Sequence, residues 1–221
     1  MYKRQALAGS GTIQLGLLTG LSVGTANDAN RFKAWTGTVA FKDISGVSGV
    51  GLDLRNYGDR TSKIVFDGVV GTETNQPAQG LWLNGGDVAA NIEIASGGLK
   101  VTNGTSNLVT NFTGALTGTG TFEYTRAINQ TFKFSGDFSE FTGTLKGGSA
   151  STGVFELAND VARTYQGRFD NAKVKKSGTG TLTITEGGSV SSLTISGGSV
   201  EVRGTGALTG CLLYTSPSPR D

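Results

Sequence analysis

Few side chains in this chain could do chemistry, and most of them stand alone. The densest group is Asp53, Arg55, Asp59 and Arg60 in the stretch LDLRNYGDR. Carboxylates paired with each other, or with calcium and a basic residue, are what polysaccharide cleavage requires. Asp53 and Arg55 alternate with Leu52 and Leu54, which puts both on the outer face of a strand, within reach of a glycan. The plainer expectation is a solvated face with local ion pairs of ~1 kcal/mol or less, because nearly every alternating run here carries one isolated charge. Asp137 and Glu140 in SGDFSEF straddle Phe138 at a Gly-Asp corner, where an aspartate is expected to bond backbone in an Asx turn. Asn27, Asp28 and Asn30 offer oxygen ligands but lack the glycine and the closing glutamate of a calcium loop. Lys173, Lys175 and Lys176 form a small basic cluster beside Asp170, with no aromatic platform for a nucleic-acid strand. Trp82 and Tyr57 could stack on a sugar ring. Trp82 stands between two leucines and is expected in core or coil-end packing, and Phe132, Phe134, Phe138 and Phe141 as stacked core.

The missing residue types narrow the chemistry further. There is no histidine, which removes His-based triads, His metal sites and His acid–base work together. The single cysteine, Cys211, allows no disulfide framework and no thiolate metal site. No GxSxG elbow and no Walker loop occur, and Gly11, Gly118 and Gly120 sit in Gly-Thr strand starts instead of before a helix. No catalytic, metal-binding or cofactor-binding residue is assigned, and the chain is expected not to be an enzyme.

The two ends differ from everything between them. CLLYTSPSPRD at 211–221 resembles translated read-through of a sequencing adapter, and MYKRQ at 1–5 resembles the same artefact read from the other strand. On that reading the chain is a fragment from a metagenome assembly, and residues 6–210 are the segment whose fold matters. The whole chain has 19 basic and 17 acidic residues; setting aside Lys3, Arg4, Arg220 and Asp221 leaves 16 of each. The segment is formally neutral, and the chain's basic isoelectric point argues for neither nucleic acid nor an anionic membrane. No apolar run approaches the ~18 residues that span a bilayer.

What must position any site is a set of short strands. Apolar–polar–apolar runs recur: IQL at 13–15, LDL at 52–54, IEI at 92–94, LKV at 99–101, FEY at 122–124, FKF at 132–134, LTI at 182–184 and 193–195, and VEV at 200–202. Each is the pattern of a strand with one buried face. Gly-Gly and Ser-Gly-Gly steps lie between them, and no segment has helical periodicity. An aromatic–polar–Gly triplet occurs four times, at Trp35–Gly37, Phe112–Gly114, Phe141–Gly143 and Tyr165–Gly167. A Gly-Thr strand start also recurs, ending at Thr12, Thr121 and Thr181. The repeat is degenerate and its unit length wanders. Such units cannot bury an apolar face alone, but stacking them buries a continuous core. A coil of roughly 20–30 residues is expected, stacked at the ~4.8 Å spacing of paired strands. The competing architecture is an antiparallel β-sandwich or jelly roll. Consecutive apolar positions such as Ile64-Val65-Phe66, and the scarcity of hairpin-type Asn-Gly turns, argue against it.

SGTGTLTITEGGSVSSLTISGGSVEV at 177–202 resembles the autotransporter-associated β-strand repeat, and TFKFSGDFSEFTGTLKGG and NDVARTYQGRFDNAKV resemble its aromatic–x–Gly part. The resemblance is good over 112–210 and thinner over 6–71. It lapses around 71–91, where a loop or irregular coil is expected. It implies an all-β, right-handed parallel β-helix within the exported passenger region of a bacterial surface protein. It also implies an extracellular location on the bacterial outer surface. The expected role is a stiff, adhesive stalk; a glycan-binding β-helix module and a polysaccharide-cleaving β-helix enzyme are the alternatives. Partners expected on this reading are glycans or a host or matrix surface, with no nucleic acid and no membrane contact by this segment. Uncapped solenoid ends are expected to self-associate.

Overall fold

The computed structural model describes residues 8–15, 34–42, 51–53, 60–70, 80–83, 85–101, 107–204 and 206–214. Among these are 23 strands and no helix. Every strand pairing is parallel, which excludes the antiparallel sandwich. The described residues form a parallel β-solenoid.

Three faces run along the solenoid. Thr12–Leu15, Thr38–Lys42, Lys63–Asp67, Asn91–Ile94 and Leu116–Gly118 build the first face. An isolated bridge from Gly118 to Phe141 continues it. Arg163–Tyr165, Thr181–Ile184 and Ser199–Val202 then form a three-stranded sheet at the same place in the coil order. The second face stacks Val70, Leu99, Phe122, Leu145, Phe169, Gly188 and Leu208 in register. The third includes Gly86–Val88, Leu108–Phe112, Gln130–Phe134 and Val154–Ala158.

Alternation decides which side chains fill the interior. Gln130–Phe134 and Thr181–Ile184 bury every second residue, as a strand with one dry face must. Parallel register then sets like upon like. Phe41 lies on Phe66 with ring centroids 5.3 Å apart, and Phe112 on Phe134 at 5.1 Å, close to the strand spacing itself. Phe122, Phe132 and Phe155 pack edge-on and tilted between such stacks. Phe132, Phe134, Phe138 and Phe141 are all fully buried, as the sequence implies. Of the region expected to be irregular, 71–79 and 84 lie outside the described residues; the rest holds two short strands, Gly80–Trp82 and Gly86–Val88, with non-strand residues between and after them. Its alternation is too short to stand out in the sequence, and pairing with neighbouring coils supplies the order.

Coil length is not constant. Leu99 to Phe122 and Phe122 to Leu145 are steps of 23 residues (122 − 99 and 145 − 122). Val174 to Leu193, and Leu193 to Leu212, are steps of 19 (193 − 174 and 212 − 193). The difference arises between the second and third faces. Earlier coils join these faces by loops such as 125–129 and 148–153. In Arg168–Ser177 and Gly188–Ile195 one strand serves both faces across a bulge, with Asn171 at φ 49°. The interior shrinks to match: the 23-residue coils hold phenylalanines, whereas the 19-residue coils hold Leu182, Ile184, Val190 and Leu193. The last described strand, Leu208–Tyr214, carries 211–214 of the adapter-like end and sets 212–214 in register with Leu193–Ile195. Residues 1–5 and 215–221 lie outside the described residues.

The aromatic–polar–Gly triplet has a physical explanation at the corners. A Cβ on Gly37, Gly114, Gly143 or Gly167 would lie 2.0–2.5 Å from a carbonyl oxygen of the preceding coil (Gly11, Ala90, Gly120 and Gly143 respectively). At Gly37, Gly143 and Gly167 the aromatic two residues earlier also folds over the glycine, leaving 2.7–2.8 Å to the same imagined Cβ. The triplet serves two different corners. Trp35–Gly37 and Phe112–Gly114 lead into the first face, whereas Phe141–Gly143 and Tyr165–Gly167 lead into the second. That is why the repeat unit wanders in sequence. Overpacking of this kind typically costs about 1–3 kcal/mol. Gly143→Ala is therefore expected to lower stability by about 3 kcal/mol in urea unfolding, because the Gly120 backbone carbonyl on one side and the fully buried Phe141 ring on the other leave the new methyl no room. A loss near zero would show that the corner has slack.

Candidate functional site

Among the described residues, those singled out in the sequence do not gather into one site. Asp53 lies in Gly51–Asp53, in register beside Trp82 of Gly80–Trp82. Arg55, Tyr57 and Asp59 lie outside the described residues, as do Asn27, Asp28 and Asn30. Arg60 is exposed, and its carbonyl accepts a hydrogen bond from the Asn91 amide at 2.8 Å. Asp137 accepts the Ser139 backbone N–H at 3.0 Å, an Asx turn, and pairs with the Arg163 guanidinium at 2.5 Å. The Ser139 hydrogen bond, with help from Arg163 and against partial desolvation, holds its carboxyl below the usual range. Glu140 is exposed one residue from that turn.

The lysine cluster is corrected by the fold. Lys173, Lys175 and Lys176 share the strand Arg168–Ser177, but they do not share a side. Lys175 faces outward to Glu156 at 3.1 Å, and the Ser177 hydroxyl donates to the other oxygen of that carboxylate at 2.6 Å. Lys176 is fully buried at the corner into the first face. Its ammonium donates to the carbonyls of Ser177 (2.6 Å), Gly178 (2.9 Å) and Gly197 (3.3 Å), tying two coils together. Burial pulls its pKa down, and Asp160 partly restores it. Phase along the strand gives this away: Lys176 falls two residues after the inward Val174.

Charges on the outer faces are arranged in columns. On the second face Lys100, Glu123, Lys146 and Asp170 follow one another in register, with Lys146 at 3.9 Å from Glu123 and 3.8 Å from Asp170. On the third, Lys133, Glu156 and Lys175 do the same. Glu123 and Glu156 thus each stand between two lysines. Neighbouring coils at these columns bring opposite charges together, never two carboxylates. A pair of carboxylates in adjacent coils, the arrangement that glycoside cleavage needs, is absent from both columns.

Two kinds of hollow remain. Adjoining clefts of about 360 and 720 Å³ follow the second face and share Thr144 and Asp170; Arg168, Glu186, Ser189 and Thr209 line the larger one. A third, of about 320 Å³, lies beside Lys133, Asp160 and Arg163. Near it Asn159 Oδ1 and Arg163 Nε are buried without a partner, while the Asn159 amide N donates to Val161 and Thr181 carbonyls. Arg163 also lies over the Phe138 ring at 5.6 Å. Asn159, Asp160 and Arg163 belong to one corner segment, and the pairing register adds Lys133 of the preceding coil to them. No group of three or more metal-ligating side chains occurs among the described residues, and no described helix is long and apolar enough to cross a membrane.

The fold places the chain among parallel β-solenoids. No family model, no curated protein and no solved structure matches it.

Two buried phenols make the solenoid sensitive to alkali. Tyr124 donates to the Ile128 carbonyl at 3.0 Å and Tyr165 to that of Arg168 at 3.1 Å. Desolvation pushes Tyr124 up to about 12 and Tyr165 well above its ordinary value. Both keep their protons in the folded chain where the unfolded chain has lost them. Their contribution is whole below the unfolded value of 10.0 and is lost as pH rises through about 12. Urea midpoints are expected to fall between pH 10 and 12, and the fall to be smaller in a Tyr124→Phe, Tyr165→Phe double variant. Equal slopes in both proteins would contradict the assignment.

Proposed function

We propose that the segment is a rigid structural stalk, part of an exported bacterial surface protein, and not an enzyme. The observation that carries this reading is the alternation of charge along the outer columns. Side chains there are used to hold coil to coil, as Lys146 does between Glu123 and Asp170. The interior supports it: one apolar core extends from Trp35 to Leu193. A rod needs both features, and it needs no reactive site. The resemblance of residues 112–210 to autotransporter-associated repeats supplies the surface location.

The polar clefts around Thr144, Arg168 and Asp170 favour one second reading, a glycan-binding module. Hydroxyls and charges there could hydrogen-bond a sugar. Against it, the large hydrophobic residues exposed among the described side chains are valines, with no aromatic platform for a sugar ring among them; the side chains of Trp82 and Tyr57 lie outside that description.

A duplicated coil separates the two readings. Repeating residues 121–143 in the chain displayed on a bacterial surface is expected to raise a terminal tag by ~4.8 Å, one strand spacing. Arrayed glycans are expected not to retain the protein. Saturable retention of one glycan, lost in Arg168→Ala, would establish the binding module instead.

A further inference from the structure

The cleft of about 320 Å³ lies at the corner where the third face turns into the first, and three successive coils build it. Lys133 and Ser135 come from one coil, Asp160 and Arg163 from the next, and Ser177 from the one after. The Asn159 amide pins the middle corner by donating to the Val161 and Thr181 carbonyls. Gly178 lets Asp160 approach the following coil, since a Cβ there would lie 2.9 Å from Asp160 Oδ1.

Charges around the cleft do not cancel. Asp137 pairs with Arg163 at 2.5 Å, and Asp160 lies close enough to the buried Lys176 to support its charge. Glu156, the neighbour of Lys133 in register, is held by Lys175 at 3.1 Å and by the Ser177 hydroxyl at 2.6 Å. Lys133 itself makes no ion pair among the described residues, so one positive charge is left over.

The other polar groups of the wall are mainly acceptors. Ser135 donates its proton to Asn111 Oδ1 at 2.8 Å and Ser177 donates to Glu156, so each hydroxyl oxygen is left to accept from a further partner. One Asp160 oxygen takes the Thr179 N–H at 3.1 Å, and the other has no partner among the described residues. Five buried side-chain atoms among the described residues lack a partner, and two of them, Asn159 Oδ1 and Arg163 Nε, belong to residues of this wall. Folds satisfy nearly all such groups, and exceptions gathered at one cleft point to a ligand.

A matching ligand brings one negative charge and several hydroxyl donors. A free amino acid, as a zwitterion, leaves the excess charge unmet. Sulfate meets the charge but offers nothing to the acceptor oxygens. The cleft has the volume of about ten liquid waters, room for one six-carbon molecule and too little for a polymer.

We propose that this corner binds a polyhydroxy carboxylate, a sugar acid, with its carboxylate on Lys133 and its hydroxyls on Asp160, Ser135 and Ser177. The site goes beyond the stalk reading and lies at a different corner from the clefts around Arg168. A ligand that touches three coils staples them, and so stabilises the folded chain.

Isothermal titration of the whole chain with D-gluconate tests this, with urea midpoints as a second readout. Saturable one-to-one binding is expected, and a midpoint that rises with gluconate. Lys133→Gln and, separately, Asp160→Asn are expected to weaken binding about tenfold, as loss of a charged hydrogen bond does. Far-UV circular dichroism matching wild type confirms that both variants fold. Neutral glucitol, serine and sulfate are expected to bind about tenfold more weakly than gluconate. Methyl β-D-glucuronoside binding as tightly as gluconate would support a sugar acid at a glycan end; weaker binding would support the free acid. Glycan held through this corner is lost in Lys133→Gln and kept in Arg168→Ala, which separates it from the binding module weighed above. No saturable binding, sulfate or glucitol equal to gluconate, or an unchanged affinity in Lys133→Gln would each overturn the proposal.

Discussion

Everything in this solenoid depends on how closely one coil's backbone can approach the next at the corners. Along the strands, parallel hydrogen bonding fixes the spacing. At the corners the chain must turn without losing it, and there the carbonyl of one coil presses on the Cα of the following one. Gly97 meets the Gly68 carbonyl, Gly143 that of Gly120 and Gly167 that of Gly143. The ladder of backbone bonds then runs on through the turn, from Gly98 to Gly68, Thr121 to Gly97, Thr144 to Gly120 and Arg168 to Gly143. A side chain at any of these glycines would push two coils apart and break bonds on both flanking faces.

Given that spacing, the interior and the outer faces follow. Residues one coil apart lie directly over one another, so a phenylalanine repeated in register stacks on its copy, and a lysine set over a glutamate pairs with it. Where the coil shortens, the core changes from rings to aliphatic side chains. At the corner around Gly178 and Gly197, polar side chains add to what the glycines do. The Asn159 side chain donates to the carbonyls of Val161 and Thr181, and the Lys176 ammonium donates to those of Ser177, Gly178 and Gly197, the first of which also accepts the Asn159 backbone N–H. A buried ammonium is expensive, and the three carbonyls offset that cost.

Strand content and the stacked core were legible in the sequence because alternation is a local signal. FKF at 132–134 and LTI at 182–184 announce both their conformation and their buried face. The repeat's wandering length was visible too, but its cause was not, since Trp35–Gly37 and Phe141–Gly143 look alike and occupy different corners. Contacts between coils were hidden for the same reason. Arg163 reaches Asp137 across 26 positions (163 − 137), and only pairing register brings them together. Lys176 could have been recognised from its phase with Val174; the bare count of three neighbouring lysines concealed it.

The central claim is that successive coils stack in parallel, one strand spacing at a time, along a single axis. Pulsed electron resonance between spin labels measures this directly, in a Cys211→Ser background. Lys100, Glu123, Lys146 and Asp170 occupy successive rungs of one column, and Ser189 and Thr209 lie in the two coils that follow. Labels at Lys100 and Thr209, five rungs apart, are predicted to lie ~24 Å apart, and labels at Glu123 and Thr209 ~19 Å apart. Distances that rise by one strand spacing per coil would bear out the solenoid. Distances that fail to rise with coil number, as between strands folded back on themselves, would contradict it.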